Sequence, residues 1–357
     1  MIQNLCTHGG VYTVNPNLVR IDFSSNINPL GISRKVLKVL RKNLPRISSI
    51  YPDNEHTALR KKIVDYLGGQ IPQESINIGN GATELIYNFV RTFVRNQVVI
   101  QSPTFCEYAT AARKVGAKIK HVAINNRQPD IEGLLEKLKN SDAIFFCNPN
   151  NPTGIFSYNV IEKLVKKIDK SKMILIDESF IEFVDDDKHP RSFIEKVHEF
   201  QNVVVLRSLT KSFGLAGLRL GYCVSHPNIA NKISRNTITW NVNGLAQLAG
   251  VTALGNISHL NAAKKIIKSE RELMYSKINN NLNSFSASMS DVNFYLIKSD
   301  IISSKKLRDF LLNKKGILVR ECNDFTGLKD KNMSIRVAVK THSENLELFD
   351  SLESIDR

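Results

Sequence analysis

The middle of the chain alternates short apolar runs, rich in β-branched residues, with amphipathic segments between about residues 98 and 224. Near-continuous apolar runs are typical of strands that are covered on both faces, because neither face of such a strand meets water. Strands that alternate with helices imply an α/β fold with a mainly parallel central sheet and helices on both of its faces. The predicted strands are Val98–Ile100, Ala143–Cys147, Met173–Ile176, Val203–Leu206 and Leu220–Val224, and the predicted helices include Phe105–Val115 and Tyr158–Ile168.

The two ends of the chain differ from this middle part. After Asn243 a long helical stretch, about Leu260 to Leu282, precedes a strand–helix–strand–strand–helix order that predicts a smaller α+β C-terminal domain. The first fifty residues are irregular apart from a helix at Arg34–Lys42, and we expect an arm that packs on the smaller domain or on a partner subunit. The expected divisions are 1–50 for the arm and part of the small domain, 51–255 for a large domain and 256–357 for the small domain. The C-terminal elements are Phe294–Ile297, Lys305–Asn313, Ile317–Arg320, Ser334–Val339 and Asn345–Leu352.

Composition and charge argue against several classes of protein. The 357 residues carry a net charge of +15, but the Lys and Arg residues are dispersed, so no nucleic-acid partner is expected. No apolar run approaches the roughly 20 residues of a membrane span and no secretion signal is visible, so we expect a cytoplasmic protein. The cysteines form no Cys-x-x-Cys pair, which predicts buried reduced thiols without a disulfide or a metal site. They are Cys6, Cys106, Cys147, Cys223 and Cys322.

A lysine flanked by hydroxyl residues follows the strand at Val203–Leu206. Lys211 lies three residues after Ser208, and Arg219 comes eight residues later. A buried lysine has a lowered pKa, which frees its amine to form a Schiff base. Ser208, Thr210 and Arg219 could hold a phosphate beside it. The alternative for an isolated lysine after a strand is an ordinary surface position.

Two other turns after predicted strands carry polar residues. Asp177 ends an apolar run and needs a partner, for which a protonated pyridine nitrogen is suitable; the alternative is an acid that caps the next helix. The string Asn148-Pro-Asn-Asn-Pro-Thr-Gly154 predicts a rigid turn that can aim an Asn amide at a ring hydroxyl, or simply a tight loop. Ligands bind beyond the carboxyl ends of strands in open parallel sheets, so both turns are candidates for one site.

Two more segments complete the candidate site. Gly79–Glu84 opens a helix with small residues, which expose backbone N–H groups to a phosphate; an ordinary helix start is the alternative. Ser102–Tyr108 follows the strand at Val98 and carries an aromatic ring that could stack on a cofactor, or that simply belongs to the core. Phe105 is the first choice for this ring and Tyr108 the second.

Together these motifs resemble the fold-type I pyridoxal-phosphate (PLP) family, which includes the aspartate aminotransferase-like enzymes, over essentially the whole chain. The resemblance implies that Lys211 holds PLP as a Schiff base, that Asp177 pairs with the pyridine nitrogen and that Asn151 contacts the ring hydroxyl. It implies that Arg336 grips the substrate carboxylate and that Tyr51 reaches the cofactor phosphate of the neighbouring subunit in a homodimer. The residues that it assigns to the cofactor phosphate in the same chain are Gly81, Ala82, Thr83, Ser208 and Arg219.

Within this family two branches compete, the histidinol-phosphate aminotransferases and the L-threonine-O-3-phosphate decarboxylases of cobalamin biosynthesis. The His8-Gly9-Gly10 string and the stretch from Asp22 to Gly31 look like the decarboxylases. Aminotransferases of the other branch commonly carry Tyr where this chain has Phe180. A PLP-fold binding protein without catalysis is a third possibility, which the presence of the lysine, aspartate and arginine weakens. The expected substrate-binding residues are His8, Gly9, Asn26, Asn151, Arg320 and Arg336.

Overall fold

A computed structural model describes residues 6–125, 128–129, 131–185 and 192–356. Its strands are β1 (Ile21–Asp22), β2 (Ile76–Asn80), β3 (Gln97–Ser102), β4 (Lys118–Asn125), β5 (Gln128–Pro129), β6 (Ala143–Cys147), β7 (Met173–Asp177), β8 (Val203–Ser208), β9 (Leu220–Ser225), β10 (Phe285–Ala287), β11 (Phe294–Ser299), β12 (Ile317–Leu318), β13 (Arg320–Glu321) and β14 (Ser334–Ala338). Its α-helices are α1 (Arg34–Ser48), α2 (Thr57–Tyr66), α3 (Gly81–Phe93), α4 (Glu107–Lys114), α5 (Ile131–Leu138), α6 (Tyr158–Lys167), α7 (Leu209–Ser212), α8 (Pro227–Ser234), α9 (Gly244–Leu254), α10 (Ile257–Asn281), α11 (Ser304–Lys315) and α12 (His342–Asp356).

The central sheet has the strand order β2-β9-β8-β7-β6-β3-β4-β5. The pairs β3–β4, β3–β6, β6–β7 and β7–β8 are parallel, which confirms the predicted α/β fold with a mainly parallel sheet. Strand β9 runs antiparallel to both β8 and β2. The carboxyl ends of β3, β6, β7 and β8 therefore meet at one edge of the sheet, where the sequence predicts the site.

Both faces of this sheet are covered by apolar side chains, which explains the unbroken apolar runs in the sequence. Successive residues of a strand point to opposite faces. Accordingly, Phe146 and Ile176 belong to one buried cluster, which includes Ile161 and Leu164 of α6. Phe145 and its neighbours on the other face belong to a second cluster that is formed with α3 and α4.

A second sheet, with the order β10-β11-β14-β13, is antiparallel throughout and packs against α10, α11 and α12. The predicted single strand Ile317–Arg320 is wrong, because the chain changes partner at Val319. Strand β12 pairs with β1 of the N-terminal arm, whereas β13 pairs with β14. The arm thus packs on the small domain, one of the two positions expected for it. The domain divisions at residues 50 and 255 stay predictions.

In the described part of the chain, no helix combines the length and the apolar character that crossing a bilayer requires.

Candidate active site

A cavity of about 460 Å³ lies at the carboxyl ends of the parallel strands and also touches the N-terminal arm and the second sheet. Most of the residues that the sequence predicts for the site line this one cavity. They are His8, Gly9, Asn26, Ala82, Thr83, Phe105, Asn151, Asp177, Ser208, Thr210, Lys211, Arg219, Arg320 and Arg336. Gly81 lies directly beside them, and Tyr51 lies elsewhere on the surface.

Lys211 lies in the short helix α7, directly after β8; it is half-buried and lines the cavity. Burial, together with the positive charges of Arg336 and Arg219, lowers the pKa of Lys211 to about 8, although Asp177 opposes the shift. A substantial fraction of this amine is therefore neutral near pH 8, as nucleophilic chemistry requires.

Asp177 ends β7 and is buried, and each of its oxygens accepts one hydrogen bond. The Tyr108 hydroxyl donates to Oδ2 at 2.7 Å, and the Ser179 backbone N–H donates to Oδ1 at 2.9 Å. Burial raises the pKa of Asp177, while these hydrogen bonds and Lys211 oppose the shift. An ionised carboxylate has about four acceptor positions, so Asp177 has capacity for a further donor from the cavity. The alternative prediction, that Asp177 caps the next helix, is wrong, because the following helical turn (Ile181–Phe183) has Phe180 at its N-cap and Asp177 instead accepts from Ser179 within a local turn.

The two aromatic candidates of the β3 turn have different positions. Tyr108 is fully buried, stacks on Phe145 with 5.4 Å between ring centroids and uses its hydroxyl to hold Asp177. Phe105 is only partly buried and lines the cavity, with its ring edge-on to Tyr108 at 5.6 Å. Phe105 is therefore the ring that a planar ligand can meet, and Tyr108 supports the acid beneath it.

A cradle for an anion forms where α3 begins. Gly81 has φ 79°, and a Cβ there would stand 2.6 Å from Arg219 Nη2, so the close approach requires glycine. The first N–H groups of a helix lack partners within the helix and attract anions. The hydroxyls of Ser208 and Thr210 lie 2.7 Å apart at the same end of the cavity.

Arg336, on β14, reaches the cavity from the small domain. Its Nη1 donates to Asn151 Oδ1 at 2.6 Å and its Nη2 donates to the Ser24 carbonyl at 2.9 Å. Within the described ranges, neither Arg336 Nε nor Asn26 Oδ1 has a hydrogen-bond partner, although both atoms are buried. Burial, with the nearby Arg320, lowers the pKa of Arg336 to about 10. An unpaired buried donor of this kind calls for a ligand acceptor.

The segment Thr7–Gly10 borders the cavity and contacts both the large and the small domain. His8 Nε2 lies 3.0 Å from Glu107 Oε1, and Thr7 donates through its backbone N–H and its hydroxyl to Asp324. A Cβ on Gly9 would overlap the Ser24 carbonyl, so this position requires glycine. The segment therefore has a fixed position over the cavity.

Arg320 is largely committed to other protein groups. Its Nη2 contacts both carboxylate oxygens of Asp324 at 2.7 Å and also donates to the Thr7 carbonyl at 2.8 Å. Arg320 therefore lines the cavity and also holds the segment Thr7–Gly10 in place. The sequence did not predict this second role.

Several functional neighbours were missed by reasoning from the sequence. Glu107 accepts hydrogen bonds from both His8 and the Tyr87 hydroxyl, at 3.0 and 2.9 Å. The bond from His8 lowers the pKa of Glu107. An acid in the first turn of a helix has an ordinary explanation in the helix dipole, so the sequence gave no separate signal for it. Ser24, from the stretch that resembles the decarboxylases, and Phe325, for which the sequence gave no signal, also line the cavity.

A buried ionic network fixes the turn behind Asp177. Arg207, on β8, donates from Nε to Glu178 at 2.9 Å, from Nη1 to Glu182 at 2.9 Å and from Nη2 to the Ser192 hydroxyl at 2.8 Å. Removal of one member of such a buried network leaves a charge without compensation. Arg207 thereby stabilises the turn that begins at Asp177, the last residue of β7, and continues through Ser179.

The prediction that all cysteines are reduced is wrong for one pair in this structure. Cys6 and Cys106 form a disulfide, whereas Cys147, Cys223 and Cys322 are free and buried. The two bonded residues are 100 positions apart, and only the folding of the arm over the turn after β3 brings them together.

Tyr51 does not reach the cavity of its own chain. Its side chain is 76% exposed and stacks on Trp240, with 4.3 Å between ring centroids. Trp240 is itself 47% exposed. Large aromatic groups that pair on the surface are typical of interfaces.

Comparisons with known proteins agree with this geometry. The family model for aminotransferase class I and II matches residues 19–352. A putative threonine-phosphate decarboxylase of Caldanaerobacter subterraneus subsp. tengcongensis is 33% identical over 93% of this chain and 89% of its own length. The adenosylcobalamin biosynthesis bifunctional protein CobDQ of Leptospira interrogans is 34% identical over 99% of this chain, which spans only 41% of that relative's length.

The fold is shared with enzymes of known structure. The crystal structure of the histidinol-phosphate aminotransferase from Clostridium acetobutylicum superposes with a TM-score of 0.86 at 30% identity, over 94% of this chain and 99% of the other. Both the sequence match and the fold cover nearly the whole chain. The chain therefore belongs to the aminotransferase class I and II family, with the fold-type I architecture, and its cofactor is pyridoxal 5'-phosphate.

Proposed function

We propose that this protein decarboxylates L-threonine O-3-phosphate to (R)-1-aminopropan-2-yl phosphate for cobalamin biosynthesis. The observation that carries the proposal is the position of His8 and Gly9 over the same cavity that Arg336 reaches from the small domain. A substrate with a phosphate at one end and a carboxylate at the other suits two such anchors. The similarity to a putative threonine-phosphate decarboxylase supports the same substrate.

The residues present fit PLP. Lys211 offers a cavity-lining amine of lowered pKa, Gly81 and Arg219 shape an anion cradle at the start of α3, and Asp177 has spare acceptor capacity. We assign Lys211 to the covalent link with the cofactor and Asp177 to its ring nitrogen. Gly81, Ala82, Thr83, Ser208, Thr210 and Arg219 are assigned to its phosphate.

When bound, PLP supplies an electron sink for the negative charge that develops at the substrate Cα. Asp177 maintains the positive charge on which that sink depends. Asn151 accepts from Arg336 through Oδ1, which leaves its Nδ2 amide to donate to the ring hydroxyl, and Phe105 covers one face of the ring. Phe180 lines the cavity, with its ring centroid 6.0 Å from Lys211 Nζ, and its side chain has no hydroxyl that could contact the ring oxygen.

The two ends of the substrate are assigned to different parts of the chain. Arg336 is assigned to the carboxylate. Its buried Nε–H has no acceptor among the described residues, and a carboxylate oxygen of the substrate would supply one. Asn26, also unpaired at Oδ1 there, is assigned to the substrate amine side. His8, Gly9 and Arg320 are assigned to the phosphate. Anchors at both ends restrict rotation about the reacting bonds, and accurate placement of reacting groups contributes strongly to rate.

A second candidate is histidinol-phosphate aminotransferase activity. The similarity to the Clostridium acetobutylicum enzyme favours it. Histidinol phosphate also carries a phosphate for a cationic pocket, on the carbon next to the amine-bearing carbon. Both reactions use the same cofactor and the same general pocket. The reactions differ in which bond at Cα breaks, so product analysis separates them.

The first prediction is therefore a product assay on the wild-type protein. With PLP and threonine phosphate we expect CO₂ release without an amino acceptor. With histidinol phosphate and 2-oxoglutarate we expect little glutamate. Glutamate from the second mixture, with no CO₂ from the first, would establish the aminotransferase alternative instead.

The anchoring role of His8 gives this assay a sharper form. His8→Ala removes one end of the proposed clamp, so KM for threonine phosphate should rise and the ratio of transamination to decarboxylation should increase. His226→Ala is the matched control, because His226 only caps α8 and lies outside the cavity. An unchanged KM and product ratio in His8→Ala would remove His8 from the site.

A homodimer is part of the proposal, with Tyr51 crossing to the cofactor phosphate of the partner subunit. Its support is the exposed stack of Tyr51 on Trp240. Light scattering should give about twice the 40.2 kDa chain mass. Tyr51→Phe should keep that mass but retain PLP about tenfold more weakly, as expected for the loss of a hydrogen bond to a charged group.

The control for this variant is Tyr275→Phe, which alters another exposed tyrosine on α10. A fully active monomer, or PLP retention in Tyr51→Phe equal to that of Tyr275→Phe, would contradict the shared site. A cytoplasmic location stays a prediction from the sequence.

A further inference from the structure

The Cys6–Cys106 disulfide lies at the edge of the active-site cavity and joins the N-terminal segment covalently to the turn after β3. Cys106 lies between Phe105 and Glu107, which line the cavity, and Cys6 precedes the segment Thr7–Gly10. His8 Nε2 lies 3.7 Å from Cys6 Sγ. A covalent bond at this point acts directly on the position of His8.

We infer that Cys6 and Cys106 form a reversible thiol–disulfide modification site that fastens the N-terminal segment over the active site. This inference goes beyond the proposed function. It rests on the proposed function in one respect, the assignment of the substrate phosphate as the group that the segment Thr7–Gly10 binds. The physical basis is the way this segment is held.

The segment Thr7–Gly10 has separate attachments to the two domains. Toward the small domain, Thr7 bonds to Asp324 and to Arg320. Toward the large domain, the attachments are the His8–Glu107 contact, the contact of the His8 ring with Phe105 at 6.0 Å between centroids, and the disulfide. The side chain of His8 is 51% exposed, so its contact with Glu107 competes with water and is weak by itself. The disulfide is therefore the strongest link between the segment and the large domain.

The bridge can be reached from outside the active site. A separate cavity of about 250 Å³ is lined by Cys6, Cys106, Arg113 and Lys331. The acid Asp324 also lines this cavity, so a reductant that reaches the bridge there meets a polar lining of both charges. Burial raises the pKa of Cys147, Cys223 and Cys322 to about 12 in each case, which makes these thiols inert by comparison.

The chemistry is thiol–disulfide exchange with a dithiol reductant, which can be a small molecule or a protein. One thiolate of the reductant attacks Cys6 or Cys106, the bond between the two sulfurs breaks and the other cysteine leaves as a thiolate that takes up a proton. The second thiolate of the reductant then attacks the first reductant sulfur in this mixed disulfide, and the protein cysteine leaves as a thiolate that takes up a proton. The protein thereby gains two electrons and two protons, and the reductant becomes a disulfide. A disulfide oxidant reverses the steps.

Reduction leaves the segment attached to the large domain through non-covalent contacts of His8, with Glu107 and with the Phe105 ring. We expect the arm to open more often and His8 to be positioned over the cavity for less time. The affinity for the substrate phosphate should fall, while Lys211 and Asp177, which do not contact the segment, stay in place. KM should consequently respond to reduction much more than kcat.

The first experiment does not depend on the reaction. Protein treated with oxidised or reduced dithiothreitol is alkylated, digested and examined by mass spectrometry. We expect a linked Cys6–Cys106 peptide that disappears on reduction and returns on oxidation. Hydrogen–deuterium exchange of the peptide around residues 7–20 should become at least about tenfold faster on reduction, as loss of a disulfide of typical strength allows. Cys6→Ser and Cys106→Ser should exchange at the reduced rate under both conditions, and Cys223→Ser should switch like the wild type.

Two outcomes would overturn the inference. One is the absence of a linked Cys6–Cys106 peptide after oxidation. A metal site would give this result if Zn²⁺, held by Cys6, His8 and Cys106, blocked both alkylation and oxidation of the two cysteines. The other is a linked peptide whose reduction leaves the exchange rate of residues 7–20 unchanged.

The second experiment measures kinetics with threonine phosphate in both redox states. KM should rise about tenfold on reduction, with a smaller fall in kcat, because His8 is then positioned over the cavity for less of the time. An equal KM in the two states would overturn the functional part of the inference. If threonine phosphate is not a substrate at all, the proposed function fails, while the peptide and exchange measurements still decide whether the modification site exists.

Discussion

Lys211→Ala should abolish both catalytic turnover and the visible absorbance of the protein-bound cofactor. Lys211 provides an amine in the cavity directly after β8, and its pKa is lowered to about 8 by desolvation and by the charges of Arg336 and Arg219. No alanine side chain can form the covalent link to PLP. The expected loss in kcat is several orders of magnitude, in line with the removal of other covalent catalytic groups. Steady-state kinetics and an absorbance spectrum of the purified variant measure both effects.

The control for this variant is Lys232→Ala, which removes an exposed lysine from α8, outside the cavity. It should match the wild type in both measurements. Circular dichroism checks that Lys211→Ala is folded. We expect it to fold, because the truncation removes an amine whose desolvation in the wild-type protein costs free energy. A wild-type spectrum in Lys211→Ala would mean that another amine holds the cofactor.

The lowered pKa also predicts how cofactor binding depends on pH. A lysine amine is reactive when neutral, and a pKa of about 8 means that its neutral fraction rises as the pH increases through that value. The rate at which apoprotein develops the visible band should therefore increase between about pH 7 and pH 9 and then level off. A rate that keeps rising toward pH 10.5 would indicate an ordinary, unperturbed lysine.

The buried strands were the part of the fold that the sequence predicted best. The run at β6 was predicted with the bounds that the structure has, and β7 and β8 each extend only by residues at their carboxyl ends. These strands are covered on both faces, so nearly every side chain must be apolar and the signal is continuous. The direction of β9 could not be predicted, because an apolar run is the same in a parallel and in an antiparallel strand.

The candidate site was predictable where the chain itself brings residues together, and less so elsewhere. Lys211, Asp177 and Asn151 follow neighbouring strands, so the sheet places them side by side. Glu107 acquires its role only because the N-terminal arm crosses the turn after β3, and the Cys6–Cys106 bond depends on the same crossing. Contacts that depend on how a distant arm folds back have no periodic or local signal in a sequence.

Asp177→Asn should reduce kcat by at least about a thousandfold while the protein still binds PLP. The carboxylate is buried at the end of β7, and we assign it to the ring nitrogen, where its negative charge maintains the electron sink. An amide has nearly the same shape but carries no charge. Losses of this size are typical when a charged group at the reacting centre is neutralised. The measurement is kcat with the visible spectrum recorded on the same sample.

The surroundings of Asp177 make this substitution a clean test of charge. The amide oxygen can still accept from the Ser179 N–H, and the amide NH₂ can donate to the Tyr108 hydroxyl, which is able to reverse its role. Tyr108→Phe removes one hydrogen bond but keeps the carboxylate, so it should lower kcat only about tenfold. Asp142→Asn, at an acid that accepts three backbone N–H groups outside the cavity, should lower stability and leave kcat within about twofold. Near-normal turnover in Asp177→Asn would show that Asp177 serves only the local turn with Ser179, since in that case its charge would contribute nothing to the reaction.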